Sequence, residues 1–126
     1  MISYIEGNIL IVEKQSLTIL VSGIGYKVFV TSSTLLSAEV STKASFYTYL
    51  SVRENALDLY GFSNTEELRF FELLLGVSGI GPKSALSVLN IADLESLKAA
   101  VLENDSSYLT KVSGIGAKSA KKIVLE

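Results

Sequence analysis

The stretch Val77-Ser78-Gly79-Ile80-Gly81-Pro82-Lys83-Ser84-Ala85 returns as Val112-Ser113-Gly114-Ile115-Gly116-Ala117-Lys118-Ser119-Ala120, with eight of nine positions identical at an offset of 35 residues. A repeat of this period marks one supersecondary unit used twice. The likeness extends beyond the phrase, because Leu74 corresponds to Leu109, Val88 to Ile123 and Leu89 to Val124. Each copy reads as a helix, a tight Gly-Ile-Gly hairpin and a second helix. Leu73, Leu74 and Val77, or Tyr108, Leu109 and Val112, are expected on one face before the turn. Ala85, Val88 and Leu89, or Ala120, Ile123 and Val124, are expected on one face after it.

Glycine tolerates positive φ and leaves its N–H uncovered, so a Gly-x-Gly turn feeding a helix N-terminus aims several unpaired amides at one point. The helix dipole and a lysine two residues past the second glycine, Lys83 or Lys118, add to the attraction for an anion. The pattern resembles the helix-hairpin-helix motif of DNA-binding proteins. The candidate phosphate contacts are Gly79, Gly81, Lys83 and Ser84 in the first copy and Gly114, Gly116, Lys118 and Ser119 in the second, with Lys121 and Lys122 beside them. Contacts of this kind go to the backbone of DNA and carry no base preference. A mere interhelical turn needs one C-terminal glycine, not a repeated Gly-x-Gly-x-Lys. The spacing of Gly76, Gly81 and Lys83-Ser84 also touches the nucleotide-binding P-loop pattern, but Pro82 stands where that loop requires its lysine to follow glycine.

A third near-copy, Val21-Ser22-Gly23-Ile24-Gly25-Tyr26-Lys27, is followed by Val28-Phe29-Val30-Thr31, which favours strand, so it is expected to be a β-hairpin. Residues 1–62 differ in character from the rest. The segments Met1 to Glu6, Asn8 to Lys14, Leu17 to Ser22, Tyr26 to Thr31 and Lys43 to Arg53 are rich in β-branched and aromatic residues, with Gly7 as a separator. Five or six strands with one short helix at Thr34 to Val40 suit an OB-type barrel. Tyr4, Tyr26, Tyr47 and Tyr49 alternate along strands, which favours core or subunit contact over base stacking.

The regime changes at Gly61-Phe62-Ser63-Asn64, where Ser63 or Asn64 can cap a helix with Glu66 or Glu67 as capping-box partner and Leu68, Phe71 and Leu75 at helical period. A further helix capped by Asp93 carries Leu94, Leu97 and Val101. The expected fold class is therefore an N-terminal OB-fold barrel, residues 1–62, followed by an all-helical domain with tandem helix-hairpin-helix motifs, residues 63–126. Glu126 stops the chain without a helix terminator, as if inside a helix.

Composition narrows the chemistry. The 126 residues include no cysteine and no histidine, which removes disulfides, Cys or His zinc sites, thiol nucleophiles and imidazole catalysis. No catalytic residue, cofactor or metal is expected. No apolar run or signal sequence points to a membrane, so the expected location is cytoplasmic. A net charge of −2 is low for a nucleic-acid binder, but Lys111, Lys118, Lys121 and Lys122 cluster at the second hairpin, whereas Glu66, Glu67 and Glu72 crowd the approach to the first.

The barrel, the run Val52-Arg53-Glu54 leading to Leu59-Tyr60-Gly61-Phe62, and the two hairpin phrases in this order closely resemble the RuvA family over the whole chain. RuvA proteins are the Holliday-junction-binding subunits of bacterial branch-migration complexes. The resemblance implies binding of four-way junction DNA, assembly as a homotetramer, recruitment of a RuvB-type hexameric ATPase through a third domain that this sequence lacks, and a possible RuvC-type resolvase partner. It also implies that Glu54 and Asn55 form the acidic pin, which repels phosphate at the junction centre. The second pin position is usually acidic in the family and here is neutral, so the pin carries half the usual charge unless Asp58 contributes. The competing class is a repair enzyme, a DNA glycosylase or junction nuclease that uses the hairpins as its grip. A glycosylase needs an acid or lysine just beyond the hairpin, where this chain ends, and a nuclease needs converging carboxylates, a spacing that Glu6, Glu54 and Asp58 lack.

Overall fold

The computed structural model describes residues 1–91 together with Ser96 and Ala99. The chain divides into two compact units, Met1–Leu68 and a second beginning at Arg69. In the first unit, β1 (Tyr4–Val12), β2 (Ser16–Val21), β3 (Ile24–Phe29), β4 (Lys43–Arg53) and β5 (Ala56–Phe62) close into a barrel in the order β1-β2-β3-β5-β4, with α1 (Ser32–Ser37) between β3 and β4. The five-stranded barrel with one intervening helix matches the fold expected from the β-branched segments.

Alternation builds its core. Ile5 and Ile9 of β1, Leu17 and Ile19 of β2, Val28 of β3, Phe46 of β4 and Leu59 of β5 all point inward and are buried in one cluster. All neighbouring strands pair antiparallel except at the closure, where β3 meets β5 in parallel through only Val28↔Leu59 and Phe29↔Tyr60. The rings of Phe29 and Tyr60 lie with centroids 5.5 Å apart across that closure.

Gly7 does not separate two strands. It lies within β1, which runs unbroken from Tyr4 to Val12 and pairs with β4 through Tyr4–Asn8 and with β2 through Asn8–Val12. A Cβ at Gly7 would collide with the backbone oxygen of Leu20, so glycine here serves close strand approach and not a turn. The register shift between Ile9 and Ile11 leaves Leu10 as an extra residue, and from there Leu10, Ile11 and Val12 are all exposed. Gly61 is equally constrained, since a Cβ there would stand 2.5 Å from Cγ1 of Val28 and 3.1 Å from Cβ of Phe46.

One further expectation is revised. The helix expected at Thr34 to Val40 begins at Ser32 and ends at Ser37, because Ala38 is already extended, with φ −80° and ψ 135°. Of the tyrosines expected in core or subunit contacts, Tyr26 is half-buried and packs against the barrel core, Tyr49 is half-buried, and Tyr4 and Tyr47 are exposed register partners on the outer surface, rings edge to face at 5.2 Å; among the described residues the buried tyrosine is Tyr60. The third Val-Ser-Gly-Ile-Gly phrase is a β-hairpin, as expected. Val21 pairs with Ile24, and the two turn residues Ser22 and Gly23 have φ of 50° and 86°, the positive values that a tight turn between right-twisted strands requires.

Helices α2 (Thr65–Leu75) and α3 (Pro82–Ile91) follow. Asn64 caps α2: the backbone N–H of Glu67 donates to its Oδ1 at 2.9 Å, and its Nδ2 donates to the Glu67 carboxylate at 3.4 Å. Burial pushes the Glu67 carboxyl above its ordinary range, offset in part by a hydrogen bond from the Ser63 backbone. Phe70, Phe71 and Leu74 form the buried face of α2, while Leu73 is 41% exposed and does not share it. In α3, Ala85, Val88 and Leu89 are buried as their spacing predicts, joined by Leu86. The helix expected from Asp93 and the whole second hairpin phrase lie outside the described residues.

Candidate nucleic-acid interface

The segment between α2 and α3 turns on a short ladder of backbone bonds. The Gly76 N–H is shared between the Glu72 and Leu73 carbonyls at 3.3 and 3.1 Å, and the Val77 N–H donates to Leu74 at 3.1 Å, which ends α2. The Ile80 N–H donates back to Val77 at 3.1 Å, and this tight closure requires Gly79 at φ 89°, a conformation that L side chains rarely adopt. The Gly81 carbonyl accepts the Ala85 N–H at 3.0 Å, so Gly81 stands at the N-cap of α3 with Pro82 as its first residue. Val77 and Ile80 are 2% and 7% exposed, and they anchor the turn from below.

What the turn presents upward is polar backbone. Ser78, Gly79, Gly81, Lys83 and Ser84 are exposed. The amides of Gly79, Gly81, Lys83 and Ser84 find no acceptor among the described residues. A Cβ built on Gly81 would meet nothing within 4 Å, so the approach to these donors is open. Pro82 supplies no N–H where none is needed, and Ser87 Oγ donates to the Lys83 carbonyl at 3.0 Å, one turn along α3. Exposed amides at a helix N-terminus beside an ammonium group are suited to one phosphate. Gly79, Gly81, Lys83 and Ser84 are thus brought together in one turn. Gly114, Gly116, Lys118, Ser119, Lys121 and Lys122 lie outside the described residues.

Glu54 and Asn55 form a separate turn in the barrel unit. They are the two residues joining β4 to β5 beyond the last pair, Arg53↔Ala56, and both are exposed. Arg53 Nη2 lies 3.2 Å from Asp58 Oδ2. Asp58 is therefore an ion-pair partner and not a second free charge at the tip. Sequence reading missed this pair, although a hairpin centred on 54–55 pairs Ser51 with Asp58 and Arg53 with Ala56, which makes Arg53 and Asp58 diagonal neighbours on one face. Among the described residues, no three acidic side chains converge as a metal site would require, and no helix is long and apolar enough to cross a membrane.

Two family models account for nearly the whole chain. One described as the RuvA N terminal domain matches residues 1–61, and one described as a SAM-like helix-hairpin-helix tandem matches residues 71–126. The curated Holliday junction branch migration complex subunit RuvA of Caldanaerobacter subterraneus subsp. tengcongensis is 45% identical over 129 residues, a match that takes in 100% of this chain and 68% of that protein. The chain belongs to the RuvA family. Proteins with the same RuvA description from Clavibacter michiganensis subsp. michiganensis and Acetivibrio thermocellus are 48% identical over 126 residues and 42% identical over 127, with all of this chain covered in each case. The matches cover 59% and 63% of those two RuvA proteins, so the chain spans about three fifths of their length. The first RuvA model ends within β5, and the second takes in both hairpin phrases.

Proposed function

We propose that this chain binds four-way DNA junctions through their phosphates, without base preference and without catalysis of its own, as the DNA-holding part of a branch-migration complex. The observation that carries this reading is the first hairpin: four amides without acceptors among the described residues, an open approach at Gly81 and a lysine, all at or just before the start of α3. In this reading residues 63–126 supply two such grips, the second through Gly114, Gly116, Lys118 and Ser119 with Lys121 and Lys122. The barrel of residues 1–62 presents Glu54 and Asn55 to the crossover. Membership of the RuvA family supports four copies of the chain around one junction, a RuvB-type ATPase as motor and a RuvC-type resolvase as a further partner. In this reading none of the 126 residues is assigned to motor recruitment.

Affinity for a four-way junction, set against linear duplex of equal length and against junctions of unrelated arm sequence, tests the reading. The junction should be held more tightly by at least roughly tenfold, about 1.4 kcal/mol. Lys118→Ala should weaken every substrate by a similar factor and reduce the slope of log affinity against log salt by about one unit. Equal affinity for duplex and junction, or a loss confined to one base sequence, overturns it.

A further inference from the structure

The β4–β5 tip carries three charged side chains, Arg53, Glu54 and Asp58, and two of them are already engaged with each other. Arg53 Nη2 donates to Asp58 Oδ2 at 3.2 Å; the arginine side chain is 56% exposed and the aspartate 24%. The carboxylate is the seated partner. Its neighbour on β5 is the buried Tyr60, whose hydroxyl is pushed up first by burial and then by the Asp58 charge. A guanidinium presents the same fork of donors to a carboxylate as to a phosphate, so the two compete for it. The guanidinium is largely in water, so the pair contributes little to folding. Its effect is on the field at the tip: with Asp58 in place Arg53 is matched, and Glu54 is left unbalanced beside a neutral Asn55.

We propose that Asp58 is a specificity-determining positioning residue: by holding the Arg53 guanidinium against the side of the β4–β5 hairpin, it withholds that cation from DNA phosphate and keeps the tip repulsive to duplex. This rests on the reading that the tip faces the crossover. Without Asp58, Arg53 and Glu54 cancel and a free guanidinium stands at the tip. Without Arg53, two carboxylates stand there. Without both, the tip has the same net charge as in the wild type.

The 126-residue chain and its Asp58→Asn, Arg53→Gln, double and Glu54→Gln variants are compared for affinity to junction and to linear duplex across a salt series. Asp58→Asn should tighten duplex binding about three- to tenfold at low salt, steepen the salt slope by about one unit and erode junction preference. Arg53→Gln should weaken duplex binding, and the double variant should return toward wild type, an outcome that a merely structural role for either residue does not produce. Asp58→Glu should restore the wild-type selectivity. If Glu54→Gln strengthens binding while Asp58→Asn matches wild type, the assignment of Asp58 is overturned and the placement of the tip stands. If neither changes affinity, the tip is away from DNA and both fall.

Discussion

Replacing Gly81 by serine separates stability from DNA affinity. Gly81 has no positive φ, and a Cβ there meets nothing within 4 Å, so the substitution strains neither backbone nor packing. The residue stands at the N-cap of α3, because its carbonyl accepts the Ala85 N–H at 3.0 Å. Serine is a slightly better N-cap than glycine, by a few tenths of a kcal/mol, because its hydroxyl accepts the N–H of the second or third helical residue. Those residues are Lys83 and Ser84, two of the four whose amides find no acceptor among the described residues. The hydroxyl therefore consumes a donor while Cβ covers the approach. A hydrogen bond to a charged group is worth about 1.5–3 kcal/mol, and its loss at one hairpin predicts junction affinity lower by roughly 10- to 100-fold. Urea denaturation should show an unchanged or slightly raised midpoint, and fluorescence anisotropy with a labelled junction should show the loss. A Gly81→Ser variant that folds normally and binds junction as the wild type does would refute phosphate capture at this turn.

Gly61→Ala should act in the opposite sense, destabilising the barrel by about 1–3 kcal/mol because the new methyl group stands 2.5 Å from Val28 Cγ1; an unchanged urea midpoint would show that β5 has room there. The Glu6 carboxyl is held below its ordinary range, first by the hydrogen bond from Lys43, 2.8 Å away, and then by the lysine charge. Its folded pKa is thus lower than its unfolded one, so whatever the pair contributes is present above the ordinary carboxylate range and is lost as pH falls through the lowered value. Lys43→Ala should move the Glu6 titration upward in an NMR pH series, and a curve that does not move would place the lysine away from Glu6 in solution.

The phrase Val-Ser-Gly-Ile-Gly shows how far local sequence reaches. At 21–25 it joins two strands and at 77–81 two helices, yet its first glycine has nearly the same φ in both, 86° and 89°. The phrase encodes a chain reversal. Its flanks decide the rest, and Val28-Phe29-Val30 against Lys83-Ser84-Ala85 made that difference readable. Gly7 was misread because a glycine signals a turn locally, whereas its role inside β1 depends on how closely β2 approaches, a tertiary fact. Leu73 was misread because one residue along a helix is about 100° of rotation, and Phe70, Phe71 and Leu74 had already set the buried face. At the tip, the missing charge at Asn55 was legible, but the engagement of Asp58 by Arg53 needed the β4–β5 register.

The closure of the barrel has a mechanical consequence. Four of its five seams are long antiparallel ladders; the fifth, between β3 and β5, is clasped by two residue pairs. The strand that carries one half of that clasp, β5, also carries one arm of the Glu54–Asn55 tip. The strand therefore runs from the tip straight to Leu59 and Tyr60, the two residues that close the barrel, where the Phe29 and Tyr60 rings meet, the tight seat of Gly61 lies alongside, and the β4 ladder holds the other edge. The tip is thereby tied, through a single strand, to the barrel's shortest seam, and a change in the packing around Gly61 acts on the same strand that carries it.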